Sequence, residues 1–139
     1  MRLFWDTNVM LDFLGEREPF YLSAAKIATL ADKRAIQIVV SSLSYATISY
    51  FLTKYYGLEK TKEKLRKFKV ISEISALDEV IIEKGLNSNF SDFEDALQYF
   101  CAWQSSCDLI ITRNGKDFKK SAIPVISPDE FLSGIIRPG

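Results

Sequence analysis

The residues best placed to do chemistry in this sequence are aspartates that follow short apolar segments. Asp6 ends the apolar run 3–5 and is followed at once by Thr7 and Asn8. A continuous apolar run of this kind is typical of a buried strand, which would place Asp6 at the carboxyl end of that strand. Because ligands bind at the carboxyl ends of strands in an open α/β sheet, Asp6 is the first candidate for a functional residue.

A second group of acids opens a helix predicted over residues 92–103. With about 100° of rotation per residue, Asp92 and Asp95 lie together along one edge of the apolar stripe of this helix. Ser91 is expected to cap the helix, and Glu94, on the opposite edge, to complete a capping box. Acids in a first turn also complement the helix dipole, so this helix alone does not define a site. The predicted stripe consists of Phe93, Ala96, Leu97, Phe100 and Trp103.

A third acid, Asp117, lies on the loop that follows the strand predicted over residues 109–111. Two strand ends and one helix start would bring Asp6, Asp95 and Asp117 to one point. Carboxylates buried so close together are costly unless a cation neutralises them. Such oxygen ligands suit the hard divalent ions Mg²⁺ and Mn²⁺. The sequence therefore predicts a metal site that binds phosphate through its ion.

Composition narrows the chemistry further. The sequence contains no histidine, which excludes Ser-His and Cys-His nucleophile pairs and His-ligated zinc. The 18 Lys and Arg residues balance the 18 Asp and Glu residues, so affinity for nucleic acid must come from a local patch. The segment 58–69 is a candidate, either as a solvated helix face or as a contact to a phosphate backbone. Its basic residues are Lys60, Lys62, Lys64, Arg66, Lys67 and Lys69.

Strands and helices alternate along the chain, which predicts a single α/β domain over residues 1–139 with parallel strands. A helix is expected to begin at Ser41 or Ser42 and to end near Gly57. Further strands are predicted at residues 36–40, 70–74, 109–111 and 123–126, and further helices at 9–14, 19–31, 78–86 and after Ser127-Pro128.

The cellular setting follows from what the sequence lacks. No run approaches the roughly 20 apolar residues of a membrane span, and no signal peptide is visible, so we expect a cytoplasmic protein without membrane contact.

Cys101 and Cys107 are the two cysteines, and we expect them to be reduced and packed in the core.

Four segments of the sequence together resemble the motifs of the PIN-domain family. They are Asp6-Thr7-Asn8, the run 92–98, the run 111–114 with Asp117-Phe118, and the run 127–131. The resemblance extends over essentially the whole chain. It implies a three-layer α/β/α fold whose central parallel sheet has about four to five strands. It also implies a metal-dependent endoribonuclease, commonly the toxin of a toxin–antitoxin pair.

The resemblance also assigns roles to residues of this chain. It implies that Asp6, Asp95 and Asp117 bind Mg²⁺ or Mn²⁺, with Asp92 as a near neighbour, and that a metal-activated water attacks the RNA phosphodiester. Supporting residues that orient ligands or water are expected to be Asn8, Thr112 and Asn114. Contacts to RNA are expected from Arg113 and from Lys60, Lys62, Lys64, Arg66 and Lys67.

One position departs from the family pattern. The family usually supplies a glutamate from the helix after the second strand, and Thr47 stands at that place. The chain has no carboxylate between Asp32 and Glu59, so no neighbour substitutes for the missing acid. The alternative to a nuclease is therefore a catalytically weakened or inactive binding module with the same fold.

Partners are also implied by the resemblance. A toxin of this family would bind a cognate antitoxin protein, and homodimers are common among its members. The sequence is rich in aromatic residues that form either a partner surface or part of the core. They are Phe4, Trp5, Tyr45, Tyr50, Phe51, Tyr55 and Tyr56.

Overall fold

A computed structural model describes residues 1–136 of the chain. In this range five strands form one sheet in the order β3-β2-β1-β4-β5, and every neighbouring pair is parallel. The predicted α/β class and the predicted parallel sheet are confirmed. The strands are β1 Arg2–Trp5, β2 Gln37–Ser41, β3 Ser72–Ser75, β4 Leu109–Ile111 and β5 Val125–Ile126.

Helices cover both faces of this sheet. They are α1 Thr7–Leu14, α2 Tyr21–Asp32, α3 Ser42–Tyr56, α4 Leu58–Val70, α5 Glu79–Leu86, α6 Phe93–Gln104 and α7 Pro128–Ile136, with a 3-10 helix at Gly115–Phe118. No helix among the described residues combines the length and the apolar character that crossing a membrane would need.

The alternation of side chains along the strands creates two separate hydrophobic cores. Leu3 and Trp5 of β1 point to one face of the sheet, whereas Phe4 points to the other. On the first face Trp5 stacks on Phe68 of α4, with ring centroids 5.7 Å apart. On the second face Phe4 packs in a cluster with Leu97 and other residues of α6. These three layers are the predicted α/β/α arrangement.

Several predicted boundaries differ from the structure by one to three residues. Helix α4 continues to Val70, whose side chain is 85% exposed, so the strand predicted from residue 70 begins at Ser72 instead. The last strand begins at Val125 rather than at Ile123, because the backbone of Ile123 is bonded to the Ser121 hydroxyl in a local turn. Strand β2 extends to Ser41, and α2 begins at Tyr21, after Pro19.

The predicted apolar stripe of α6 was wrong at two of its positions. Phe93 and Trp103 are 45% and 52% exposed. Phe93 is the first residue of α6 and Trp103 the last but one, so both lie at the ends of the helix. Between them α6 packs against both the sheet and α5, which makes its buried face wider than one stripe. That face includes Ala96, Leu97, Gln98, Tyr99, Cys101 and Ala102.

Both cysteines lie in the core as free thiols, as predicted. Burial raises the pKa of Cys101 to about 11 and that of Cys107 to about 12. The two thiols are therefore protonated at neutral pH and are poor nucleophiles.

Candidate active site

The candidate site lies where the strand order reverses. Strand β1 has β2 on one side and β4 on the other, and the chain reaches these two neighbours by connections that leave in opposite directions. A crevice at the carboxyl ends of strands forms at such a point, and ligands bind there in open α/β sheets. Asp6 lies at the carboxyl end of β1, and its backbone N–H donates to the carbonyl of Ile111, 3.0 Å away, at the end of β4.

Three hydrogen bonds fix the Asp6 carboxylate, which is only 7% exposed. Its Oδ1 accepts from the backbone N–H of Thr7 at 2.9 Å, which also caps α1. Its Oδ2 accepts from the hydroxyl of Thr112 at 2.8 Å and from the amide of Asn8 at 3.2 Å. The same Thr112 hydroxyl accepts from the backbone N–H of Asn114 at 3.1 Å. The structure thus brings together four of the residues predicted for the site.

The acids of α6 approach this group from the start of the helix. Asp92 is the N-cap, and its Oδ1 accepts from the backbone N–H of Asp95 at 3.0 Å. The predicted capping box of Ser91 and Glu94 was therefore wrong: Asp92, with extended backbone angles, takes the capping position. Glu94 instead contributes negative charge to the site, which raises the pKa of both Asp6 and Asp95.

Asp117 lies in the 3-10 helix that follows β4. Its charge raises the pKa of Asp6 and the pKa of Asp95, so all three predicted acids lie near one another. For Asp95, burial is the largest cause, followed by the charge of Asp92, and the pKa rises to about 7. For Asp6, burial also raises the pKa, while the hydrogen bonds from Thr112 and Thr7 lower it.

The donor chemistry of this cluster fits a hard divalent cation, because carboxylate and hydroxyl oxygens are the ligands that Mg²⁺ and Mn²⁺ prefer. Within residues 1–136, however, no three Asp, Glu, Cys or His side chains stand close enough together to form a ready-made metal cage. The negative charges of Asp6, Asp95 and Asp117 lie near one another without such a cage, and a bound cation would relieve their repulsion.

Thr47, which stands where the family resemblance leads us to expect a glutamate, lies half-buried on α3. It follows Ser44 by three residues and therefore lies on the same side of α3. The Ser44 hydroxyl is 2.7 Å from the Thr7 hydroxyl, so this side of α3 faces the beginning of α1, next to Asp6.

Gln98 is a buried residue of this region that the sequence reasoning missed. It is 2% exposed, and its Nε2 donates to the hydroxyls of Thr7 at 2.8 Å and Ser44 at 3.1 Å. Its Oε1 is buried and has no hydrogen-bond partner among residues 1–136. The available signal was its spacing, because Gln98 is a polar residue one turn after Asp95 within a buried segment.

Arg113 is held by an acid that was also missed. The Arg113 Nε lies 2.6 Å from Oδ2 of Asp12, and its Nη2 lies 3.2 Å from Oδ1. Asp12 is 1% exposed, and Arg17 approaches the same carboxylate at 3.8 Å. The Arg113 guanidinium also lies 3.9 Å above the ring centroid of Phe20. This predicted RNA-contact residue is therefore fixed in orientation.

Some basic residues of α4 already contact other groups of the protein, whereas others are exposed. Lys64 donates to the carbonyl of Leu14 at 3.1 Å and lies over the ring of Tyr56. Lys67 is paired with Glu63 at 3.2 Å. The other predicted contacts on this helix are Lys60, over Tyr56 at 5.1 Å, and the exposed residues Lys62 and Arg66.

Comparison with known proteins agrees with this fold. Residues 2–116 match the family model described as PIN domain. The chain is 28% identical over 135 residues to Ribonuclease VapC1 of Aquifex aeolicus (strain VF5), covering 94% of this chain and 92% of that protein.

Solved structures show the same fold at lower identity. VapBC2 from Rickettsia felis, bound to a DNA fragment from the promoter, has a TM-score of 0.66 at 19% identity, covering 91% of this chain and 98% of that one. VapC20 of Mycobacterium tuberculosis, described as a Sarcin-Ricin loop cleaving toxin, has a TM-score of 0.60 at 10% identity, covering 78% of this chain and 86% of that one.

The parallel sheet and the acidic crevice define a three-layer α/β/α protein with a carboxylate site. With the family match over most of its length, the chain belongs to the PIN domain family.

Proposed function

We propose that this protein is a metal-dependent endoribonuclease that hydrolyses RNA phosphodiester bonds and acts as the toxin of a toxin–antitoxin pair. The observation that carries the proposal is the convergence of Asp6, Asp95 and Asp117 at the crevice between β1 and β4. The charge of Asp117 raises the pKa of both Asp6 and Asp95, and the charge of Asp6 also raises the pKa of Asp95. The ribonuclease name of the Aquifex relative and the cleaving activity in the description of the Mycobacterium toxin support it.

The residues of this chain have distinct tasks in that reaction. Asp6, Asp95 and Asp117, with Asp92 beside them, would hold Mg²⁺ or Mn²⁺. When bound, such an ion lowers the pKa of a water molecule and offsets charge on phosphate oxygens. Asn8 and Thr112 keep the Asp6 carboxylate in one orientation, and Asn114 is tied to Thr112. The exposed side chains of Lys62 and Arg66 would attract the RNA backbone.

The test is cleavage of a mixed RNA pool with Mg²⁺, with Mn²⁺ and with a chelator. Asp6→Asn and Asp95→Asn are expected to lower the cleavage rate by more than about 100-fold, because each removes a metal ligand. Asp32→Asn is the matched control, since Asp32 is exposed at the far end of α2, next to the amino ends of the strands. A wild type that cuts no faster than the Asp6 and Asp95 variants would refute the proposal.

A second candidate function is a binding module with little or no nuclease activity. Thr47 is the observation that favours it, because the site then has one carboxylate fewer to hold an ion. Titration of the protein with Mn²⁺ by calorimetry separates the two candidates. A nuclease is expected to bind Mn²⁺ at millimolar concentration or below, whereas heat changes that stay at the level of the Asp6→Asn variant favour the binding module.

The partner surface that we propose is on α3 and α1. Of the aromatic residues noted in the sequence, Phe4 and Trp5 are fully buried, whereas Tyr50, Phe51 and Tyr55 are 61%, 44% and 85% exposed. Beside them is a cavity of about 530 Å³ with mainly apolar walls, formed in part by Leu11, Leu52, Phe51, Tyr55 and Tyr56. We propose that a segment of the antitoxin occupies this cavity.

A solved toxin–antitoxin complex from Klebsiella pneumoniae has the same fold, with a TM-score of 0.66 at 23% identity, and supports the idea of an antitoxin partner. Tyr55→Ser is expected to weaken binding of the protein encoded by the neighbouring reading frame while leaving RNA cleavage unchanged. Light scattering of the isolated chain tests the alternative occupant, a second copy. A dimer that Tyr55→Ser dissociates would assign the surface to self-association instead.

A further inference from the structure

A second cavity lies at the same edge of the sheet as the acidic crevice. It has a volume of about 370 Å³ and is bounded by segments that follow β4 and β5 and by the beginning of α2. Because β1, β4 and β5 are neighbouring parallel strands, their carboxyl ends share one edge. We call this space the β4–β5 cavity. The wall residues that matter here are Pro19, Phe20, Ser23, Arg113, Pro128 and Asp129.

Two flat groups form one wall of the β4–β5 cavity. The Arg113 guanidinium lies 3.9 Å above the centroid of the Phe20 ring, and Phe20 remains 39% exposed. The guanidinium donates two hydrogen bonds to the buried carboxylate of Asp12, and these fix its orientation. Burying such an ion pair contributes little net stability, but it does hold the planar cation in one orientation. The wall is therefore preorganised, with two planar groups already oriented for a ligand to stack on them.

This wall is connected directly to the acidic site. The backbone N–H of Arg113 donates to Oδ1 of Asn8 at 3.4 Å, and the preceding residue, Thr112, donates its hydroxyl to Asp6. A chain of nucleotides with a phosphate at Asp6 would therefore have an adjoining base within reach of the β4–β5 cavity.

The composition of the cavity selects a base rather than a phosphate. Pro19, Phe20 and Pro128 are apolar, and Arg113 supplies a planar cation, which are the groups on which unpaired RNA bases stack. The carboxylate of Asp129, which accepts a hydrogen bond from the Ser23 hydroxyl, would repel a phosphate. The volume lies at the lower end of the range for small-ligand pockets, which suits one base.

We propose that the β4–β5 cavity binds one unpaired nucleobase next to the phosphodiester at Asp6 and so contributes to the choice of cleavage position. This inference rests on the proposed function, because it takes single-stranded RNA as the substrate.

The test uses the full chain and short 5′-labelled single-stranded RNA oligonucleotides. Affinity is measured by fluorescence anisotropy in a chelator, and cleavage positions are mapped with Mn²⁺. Phe20→Leu keeps an apolar side chain but removes the aromatic face, and it is expected to weaken RNA binding about tenfold, as loss of one stacked base would. Phe20→Trp is expected to retain affinity. Trp103→Leu is the matched control, because Trp103 is 52% exposed but lies at the end of α6, which leads to the amino end of β4.

RNAs with a single abasic ribose near the cut separate base stacking from other effects. One abasic position is expected to weaken binding by the wild type about tenfold and binding by Phe20→Leu hardly at all, because both changes remove the same contact. If Phe20→Leu binds and cuts every RNA as the wild type does, the cavity is not a base site, while the proposed nuclease stands. If Phe20→Leu weakens RNA binding but the wild type cuts no RNA, the base site stands and the proposed nuclease is refuted.

Discussion

The side-chain amide of Gln98 donates a hydrogen bond to the hydroxyl of Thr7, 2.8 Å away, and so joins the helix that carries Asp95 to the helix that begins after Asp6. The same amide donates to Ser44 at the start of α3. One buried side chain therefore links the three elements around the acidic crevice. We expect this link to help to set the separation of the Asp6 and Asp95 carboxylates.

Gln98→Met tests that link, because methionine has a similar shape and no amide. We expect RNA cleavage and Mn²⁺ affinity to fall at least about tenfold, and the free energy of unfolding to fall by about 1–3 kcal/mol, since the Thr7 and Ser44 hydroxyls lose a buried partner. Calorimetry with Mn²⁺ and urea denaturation measure the two effects.

Ser75→Ala is the control for Gln98→Met. The buried Ser75 hydroxyl donates a hydrogen bond to the carbonyl of Cys101. It therefore joins α6 to β3, but at the half of the helix away from Asp95. The free energy of unfolding of Ser75→Ala is expected to fall by about as much as that of Gln98→Met, but without loss of Mn²⁺ affinity. Equal losses of affinity in both variants would mean that Gln98 acts only through overall stability.

Thr47→Glu tests whether the missing acid limits the site. The added carboxylate lies on the side of α3 that carries Ser44 and faces the beginning of α1. We expect Mn²⁺ affinity to rise about tenfold, because an additional hard oxygen ligand and an additional negative charge favour the ion. Thr47→Gln, which has the same shape without the charge, should not show this gain. An unchanged affinity in Thr47→Glu would show that position 47 does not reach the ion.

The metal-free protein is expected to lose stability as the pH rises from about 4 to about 7. The pKa of Asp95 is raised from 3.8 to about 7, so the folded protein holds a proton that the unfolded chain has already released. Stability from this group is full below the unfolded pKa and is lost as the pH passes through the folded pKa. Thermal unfolding should show the trend in the wild type and a flatter one in Asp95→Asn.

Metal binding should show the opposite trend, because a carboxylate ligand must be deprotonated before it binds. Mn²⁺ affinity is therefore expected to increase as the pH rises through about 7, and saturating Mn²⁺ should restore stability at the higher pH. A metal-free melting temperature that is constant over this range would contradict the raised pKa of Asp95.

Asp12→Asn is expected to lower the free energy of unfolding by about 3 kcal/mol, because it leaves the largely buried guanidinium of Arg113 without its counter-charge. Urea denaturation measures the loss. Glu63→Gln is the comparison, since the pair of Glu63 and Lys67 is exposed, and about 0.5 kcal/mol or less is expected there. A loss for Asp12→Asn as small as that of Glu63→Gln would show that the pair of Arg113 and Asp12 stabilises the fold no more than an exposed pair does.

Local patterns in the sequence were sufficient to predict the class of fold and part of the candidate site. Apolar runs that stop at polar residues predicted the strands before Asp6 and Thr112, because a buried strand must end where its polar neighbours begin. Since parallel strands share one carboxyl edge, the same patterns placed Asp6 and Asp117 near each other. The resemblance to the PIN-domain family added Asn8, Thr112 and Asn114, which the structure joins to Asp6 by hydrogen bonds. Helical spacing placed Asp92 and Asp95 on one edge of α6, but their assignment to the site also needed the other acids.

Only the tertiary structure decided which side chains meet across large separations in the chain. The bond between Gln98 and Thr7 joins residues 91 positions apart, and the pair of Arg113 and Asp12 joins residues 101 positions apart. A helical period shows which residues share a face but not which face is covered, and the packing of α6 on both α5 and the sheet changed its buried face. The acids are therefore recognisable from residue type and spacing, whereas the side chains that hold them in place are defined by packing between distant elements.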